Sequence, residues 1–308
     1  MKILFAATDS IAVPLLEALA NEGLVKAVFT APDAPGKRGK SLIPTPIKVK
    51  ALELGLDVYT PEHLRSEERR LVESLGVDTL LSFCYGRIFG PKFLSLFSRT
   101  FNVHPSPLPK YRGCSPIYTA IRSGEKESAI SIQEIALGID EGDLYGVLPF
   151  TLDGTETNES LEAKVSQMTP SFVLGVLKNI DKVEKTPQSG ESSYTGFIGK
   201  EDGRLDFSLP ASVLHATIRA CYPWPKAYAN LGEEKLMLTG VFGSSFDAFE
   251  PCTEEPGTVV SLEKKKGLKI ATGDGYLYVS RVLPPGKKEM DAASYVNGNR
   301  TIIGARLV

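Results

Sequence analysis

Asn102 and His104 stand two residues apart in Phe101-Asn102-Val103-His104, a run that alternates apolar and polar. An amide and an imidazole at that spacing share one side of a strand, while Phe101 and Val103 take the other. Together they can donate hydrogen bonds to an oxygen that is gaining negative charge, and the imidazole can also move a proton. Pro105, Pro107 and Pro109 follow. Each fixes φ and lacks an amide N–H, so the sheet cannot continue much beyond His104. The pair therefore stands at the carboxyl end of a strand, the edge where open α/β sheets place their ligands. A histidine satisfied inside a core is the plain alternative. The other histidines, His63 after Pro61-Glu62 and His215 on a later helix, have no such amide partner and read as structural or solvated.

A carboxylate beside His104 would orient the ring and pair with its charged form. Asp140 is the best candidate, in the glycine-bounded loop Leu137-Gly138-Ile139-Asp140-Glu141-Gly142-Asp143 that follows the neighbouring strand. Asp143, Glu141 and Glu134 are weaker contenders, and a solvated Asp140 stays open. Cys114 and Ser106 could each be a nucleophile, but neither has a base at usable spacing, and Ser106 reads as the tie of the proline turn. Asn, His and Asp without a nucleophile point to oxyanion stabilisation and proton transfer, not to covalent catalysis.

The elements that must position these groups alternate. Lys2–Ala7, Leu24–Thr30, Val77–Phe83 and Ala129–Ile135 have the composition of strands, and Ile11–Ala20, Ser115–Arg122 and roughly Glu159–Lys178 that of helices. The expected fold is α/β, a Rossmann-like domain with a largely parallel sheet. Its first turn, Ala7-Thr8-Asp9-Ser10, contains no glycine. A backbone pyrophosphate site is disfavoured there, and with it a nicotinamide cofactor. Ala31–Ile47 is a long loop carrying Lys37, Arg38 and Lys40. It reads either as a solvated loop or as an arm that seeks phosphates. From about Asp181 to Gly199 the chain is polar and Ser/Gly-rich. Beyond it come one helix near Pro210–Ala220 and five short strand-like runs between Ala227 and Val282, the pattern of a small OB-like β-barrel. The expected division is residues 1–182, a linker at 183–203 and residues 204–308.

The chain of 308 residues has a net charge of -2, which excludes a generally basic coat for nucleic acid and leaves only local patches such as Lys287 and Lys288. Four well-spaced cysteines, without a CxxC pair, argue against a disulfide framework and against a metal site. No apolar run approaches the roughly 20 residues that span a bilayer, and the amino terminus lacks a signal-peptide pattern. A soluble, cytoplasmic, monomeric protein without membrane partners is the expectation.

FNVHPSPLP with a downstream GIDEGD resembles the signature of the 10-formyltetrahydrofolate-dependent formyltransferases. PDAPGKRGKSLIPTPIK, FCYGRIFGPKFL, EDGRLDFSL, PWP and LPPGKKEM are similar, in order and spacing, to the branch that formylates methionyl-tRNA. That resemblance implies Asn102, His104 and Asp140 as the catalytic trio and 10-formyltetrahydrofolate as the formyl donor, with no metal. It implies a folate site made by Arg87, Ile88, Phe89, the turn Ser106, Pro107, Leu108 and Pro109, and Leu137, Gly138 and Asp143. It further implies the initiator methionyl-tRNA as partner, held by Lys37, Arg38 and Lys40 and by Lys287 and Lys288 on the carboxy-terminal domain. Where the family tends to have Gly-Thr-Pro-x-Phe, this chain has Ala7-Thr8-Asp9-Ser10-Ile11, a change in the methionyl pocket. Competing readings are a formyltransferase for an amino sugar, a hydrolase of formyltetrahydrofolate, and an inactive RNA-binding relative.

Overall fold

A computed structural model describes residues 1–36 and 41–308. Seven strands form one sheet in the spatial order Leu144–Thr151 (β10), Glu127–Gln133 (β9), Arg99–His104 (β7), Thr79–Phe83 (β6), Ile3–Ala7 (β1), Val25–Phe29 (β2) and Asp57–Tyr59 (β5). All five residues of β1 and of β6 are buried, as strands covered on both faces must be. The pairs β1–β2, β1–β6, β2–β5 and β6–β7 are parallel, whereas β7–β9 is antiparallel. The sheet is thus mixed but dominated by parallel pairing, as the sequence leads one to expect.

Helices α1 (Val13–Asn21), α2 (Pro46–Glu53), α3 (Ser66–Leu75), α4 (Pro91–Leu94) and α6 (Asn158–Lys178) accompany these strands. In α1 the buried residues are Leu15, Leu16 and Leu19, the apolar stripe its spacing predicts. Thr45 caps α2 by accepting from the Lys48 amide at 3.0 Å, and Pro46 supplies the preset φ of a first helical position. On one side of the sheet an aromatic column packs over Leu4 and Leu80: Tyr85 stacks on Phe89 at 5.5 Å, Phe89 on Phe93 at 5.6 Å, and Phe93 leans on Phe97. Two short ribbons complete this part, β3 (Ala34–Pro35) with β4 (Leu42–Ile43), and β8 (Arg112–Gly113) with β11 (Tyr194–Thr195).

The chain groups into two units that do not follow one cut in the sequence. The first comprises Met1–Cys114, Ala129–Pro149 and Glu162–Tyr194; the second comprises Ser115–Ser128, Phe150–Leu161 and Thr195–Val308. The residues expected as a linker from 183 onward therefore belong in part to the first unit. In the second unit α5 (Pro116–Arg122), early in the sequence, packs on α7 (Ala211–Ala220).

The second unit is built on an antiparallel sheet in the order Ala227–Leu231 (β12), Glu234–Val241 (β13), Tyr276–Leu283 (β16), Gly267–Ala271 (β15) and Val259–Glu263 (β14), with Met290–Asp291 (β17) beside β16. Five of these strands follow the expected runs closely. What alternation does not reveal is how the edges are covered. The chain terminus bridges β12 through Leu231 and Leu307, and reaches the other edge through Thr258 and Arg306. This short segment pairs with part of each edge, and Arg204 bridges Tyr228 farther along β12, so backbone groups that would otherwise stay unpaired are met. Helix α8 (Ala292–Gly298), capped by Asp291, leads into that segment. Among the described residues no helix is long and apolar enough to cross a membrane.

Candidate active site

The antiparallel register of β7 against β9 builds the site. Asn102 lies opposite Gln133, and His104 lies opposite Ser131. Directly opposed residues share a face, so Asn102, His104 and Gln133 line one patch of the sheet. Glu134 then accepts no further sheet partner; its amide donates to the Asp143 carbonyl at 2.8 Å, closing the neck of the 135–142 loop. Gly142 is required at that neck, because a Cβ there would lie 1.8 Å from the Glu134 carbonyl oxygen. The loop folds back over the patch and delivers Asp140.

Asp140 collects the surrounding donors. Its Oδ1 accepts from Asn102 Nδ2 at 3.1 Å and from Gln133 Nε2 at 2.7 Å. Its Oδ2 accepts from the Gly113 amide at 2.8 Å and faces His104 Nδ1 at 3.5 Å. The last distance is in ion-pair range and longer than a well-formed hydrogen bond. The other ring nitrogen, His104 Nε2, meets the Tyr111 carbonyl at 2.8 Å, and a carbonyl can only accept. Both nitrogens of a ring that is 4% exposed thus face oxygen acceptors. Asn102 keeps a second N–H that Asp140 does not use.

Backbone strain concentrates here. Among the described residues five non-glycine residues have positive φ; three of them are Cys84 at the end of β6, Tyr111 and Asp140. Such conformations persist only where the surroundings impose them, and functional sites are where they gather. Asp9 caps the first turn by accepting from the Ile11 amide, and Ile11 itself is buried, 6% exposed, so its side chain serves packing at that turn.

The remaining expected residues are distributed unevenly. Ser106 is fully buried and its Oγ donates to the Lys110 carbonyl at 2.6 Å, so it ties the turn. Leu108 and Pro109 are buried with it, and Pro107 is half-buried. Ile88 and Leu137 are open, 77% and 69% exposed, whereas Gly138 and Asp143 are half-buried. Phe89 lies inside the aromatic column, which leaves its backbone as the part that can meet a ligand. Arg87 donates to the Glu62 carbonyl. Lys287 and Lys288 are exposed on the second unit, Lys287 on a groove of about 490 Å³ with Lys235, Met237 and Leu283. Lys37, Arg38 and Lys40 lie outside the described residues.

Two site residues escape the sequence reading. Gln133 carries one signal, an amide in a strand whose residues from Ser128 onward are buried. Gln188 carries none, since it sits in the polar stretch that reads as a linker. Among the described residues no group of three His, Cys, Asp or Glu side chains converges as a metal ion needs.

Comparison with known proteins adds to this geometry. Residues 1–177 match the family described as formyl transferase, and residues 197–300 match the formyl transferase C-terminal domain. The methionyl-tRNA formyltransferase of Borreliella afzelii is 35% identical over 307 residues, covering 99% of this chain and 97% of the relative. The fold is similar to that of the methionyl-tRNA formyltransferase from Clostridium thermocellum, with a TM-score of 0.58 and 17% identity over 89% of this chain and 100% of that one. It is also similar to HypX from Aquifex aeolicus in complex with tetrahydrofolic acid, with a TM-score of 0.62 and 18% identity over 96% of this chain. The chain spans about half of HypX, 47% of its length.

Proposed function

Because the chain belongs to the formyl transferase family, we propose that it transfers the formyl group of 10-formyltetrahydrofolate to the amino group of initiator methionyl-tRNA. The full-length likeness to a methionyl-tRNA formyltransferase supports the acceptor, and the family supports a formyl-folate donor. The observation that carries the chemistry is the convergence of Asn102, His104 and Gln133 on Asp140.

In this reading the α-amine of the methionyl ester attacks as the neutral base. Its nitrogen bonds to the formyl carbon, and the carbonyl electron pair moves onto oxygen. The free N–H of Asn102 and the Nε2–H of His104 donate to that oxygen, the latter by leaving or sharing the Tyr111 carbonyl. Asp140 holds the ring from its Nδ1 side and carries the proton that the amine nitrogen, cationic once it has bonded to the formyl carbon, must lose. Collapse of the intermediate breaks the bond to N10 of the folate, and N10 takes up the proton. Ile88 and Leu137 supply exposed apolar surface for the pterin, and Asp143 a polar neighbour. Lys37, Arg38, Lys40, Lys287 and Lys288 bind phosphates of the tRNA, so affinity falls with salt.

The test is direct. Incubation with 10-formyltetrahydrofolate and charged initiator tRNA is expected to yield formylmethionyl-tRNA and tetrahydrofolate in equal amounts. Release of formate without formylated tRNA would indicate a hydrolase, and formylation of an amino sugar in place of tRNA would move the reading to that class.

A further inference from the structure

We infer that Gln188 is a positioning residue for formyl transfer, which aims the Asp140 carboxylate by clamping its turn to the Arg112 strand. This rests on the reading that Asp140 acts on His104. The half-buried Gln188 side chain is bonded at both ends. Its Nε2 reaches the Asp140 carbonyl at 2.8 Å, the Gly142 carbonyl at 2.8 Å and Gln133 Oε1 at 3.3 Å. Its Oε1 accepts from Arg112 Nε at 3.1 Å and from Arg112 Nη2 at 2.7 Å.

Only a side chain with N–H donors at one end and an acceptor at the other fits both partners. A carboxylate would turn an oxygen toward three oxygens, and an ammonium would face the guanidinium. The clamp matters because Asp140 sits at a φ of 55°, a left-handed backbone that its surroundings must hold. Fixing the carbonyls of Asp140 and Gly142 fixes the 140–141 and 142–143 peptide planes, which flank Glu141 and Gly142. The direction of the Asp140 carboxylate follows from them. The same segment grips the other wall of the site: Tyr111 N donates to Ser193 Oγ at 2.9 Å, and Arg112 N donates to the Ser193 carbonyl at 2.9 Å. Tyr111 supplies the carbonyl that His104 meets. Residues 188–193 thus set the spacing between the two groups that flank the imidazole.

Four variants test this, measured by steady-state kinetics and thermal unfolding: Gln188→Leu, Gln188→Glu, Asp140→Asn and Asp140→Asn with Gln188→Leu. A displacement of the carboxylate by about 1 Å is worth roughly 10²-fold, so kcat of Gln188→Leu falls by about 10- to 10²-fold. KM for both substrates stays within about twofold, because no substrate contact is lost. Gln188→Glu keeps the acceptor for Arg112 but loses the donors, so it falls as far as the leucine variant. It serves alone if the leucine variant does not fold. In the Asp140→Asn background Gln188→Leu costs nothing further, since residues that act through one another are not additive. Unchanged kcat in Gln188→Leu, wild-type activity in Gln188→Glu, or losses that multiply in the double variant overturn the proposal. Full activity of Asp140→Asn alone overturns the catalytic trio itself, and removes the role of Gln188 with it.

Discussion

His104 and His215 are both buried, 4% and 0% exposed, yet their surroundings ask opposite things of the ring. His104 faces the Tyr111 carbonyl and the Asp140 carboxylate, two acceptors brought in by different loops. His215 accepts on Nδ1 from Arg219 Nε at 3.1 Å, a cation one turn along the same helix. Arg219 is itself fixed by the Glu156 carbonyl and Ser245 Oγ. Burial, with the Arg219 charge beside it, pushes His215 down to about 4, and burial pushes Arg219 down to about 10. A proton on Nδ1 of His215 would break the bond to Arg219. The first imidazole faces acceptors on both nitrogens, whereas the second is held neutral.

The comparison breaks most easily by truncation. His104→Ala is expected to lower kcat by about 10³-fold through loss of an oxyanion donor and a proton carrier, with the protein still folded. His215→Ala is expected to leave kcat of the folded enzyme within about twofold and to cost about 2–4 kcal/mol of stability, as other buried truncations do. A kcat loss of similar size in both would erase the distinction.

Acid sharpens it next. An unfolded histidine takes up its proton near pH 6.5, while His215 in the folded unit stays neutral until about 4. Between those values the unfolded chain binds more protons, so the stability due to neutral His215 is complete above pH 6.5 and is lost as pH falls toward 4. The loss is roughly 3 kcal/mol, 1.36 kcal/mol for each pH unit. Urea unfolding followed at pH 7 and pH 4.5 is expected to show it, and His215→Leu to flatten that slope. An unaltered slope in the variant would assign the acid sensitivity elsewhere.

Gly142→Ala probes the first histidine from a distance. The Glu134 carbonyl leaves no room for a Cβ, so the loop neck must open and Asp140 must shift. A drop in kcat of about 10²-fold is expected, with KM for tRNA nearly unchanged. Normal kinetics in this variant would show that the loop tolerates the displacement. The smallest effect belongs to the second unit: Lys287→Ala with Lys288→Ala should weaken tRNA binding several-fold. It should also lower the dependence of log affinity on log salt by about 1 for each lysine that meets a phosphate, without change in kcat.

Legibility in the sequence tracks how local each feature is. Asn102 and His104 could be read because strand alternation and three prolines act within a few residues of them. Asp140 could be read only as the best of four acids. The neck between Glu134 and Asp143 folds the loop back, and this is what brings Asp140 against the pair. Gln188 gave no signal, since a glutamine in a Ser/Gly-rich stretch has the composition of a linker whether or not it bridges two loops. The first turn was legible as glycine-free; that Asp9 caps it and Ile11 is buried beneath it came from the fold.

By itself the sequence determined the alternation of strands and helices, the antiparallel run of the second unit, and the edge at which an amide and an imidazole stand together. These depend on periodicity and on backbone constraints carried by neighbouring residues. Only the tertiary structure decided which acid meets His104, which glutamines hold that acid, and how the chain terminus covers both edges of the second sheet. Those choices join residues up to 76 positions apart, through hydrogen bonds that exist only once loops have closed and water has left. No local pattern encodes such a contact, because its free energy belongs to the pair and not to either segment.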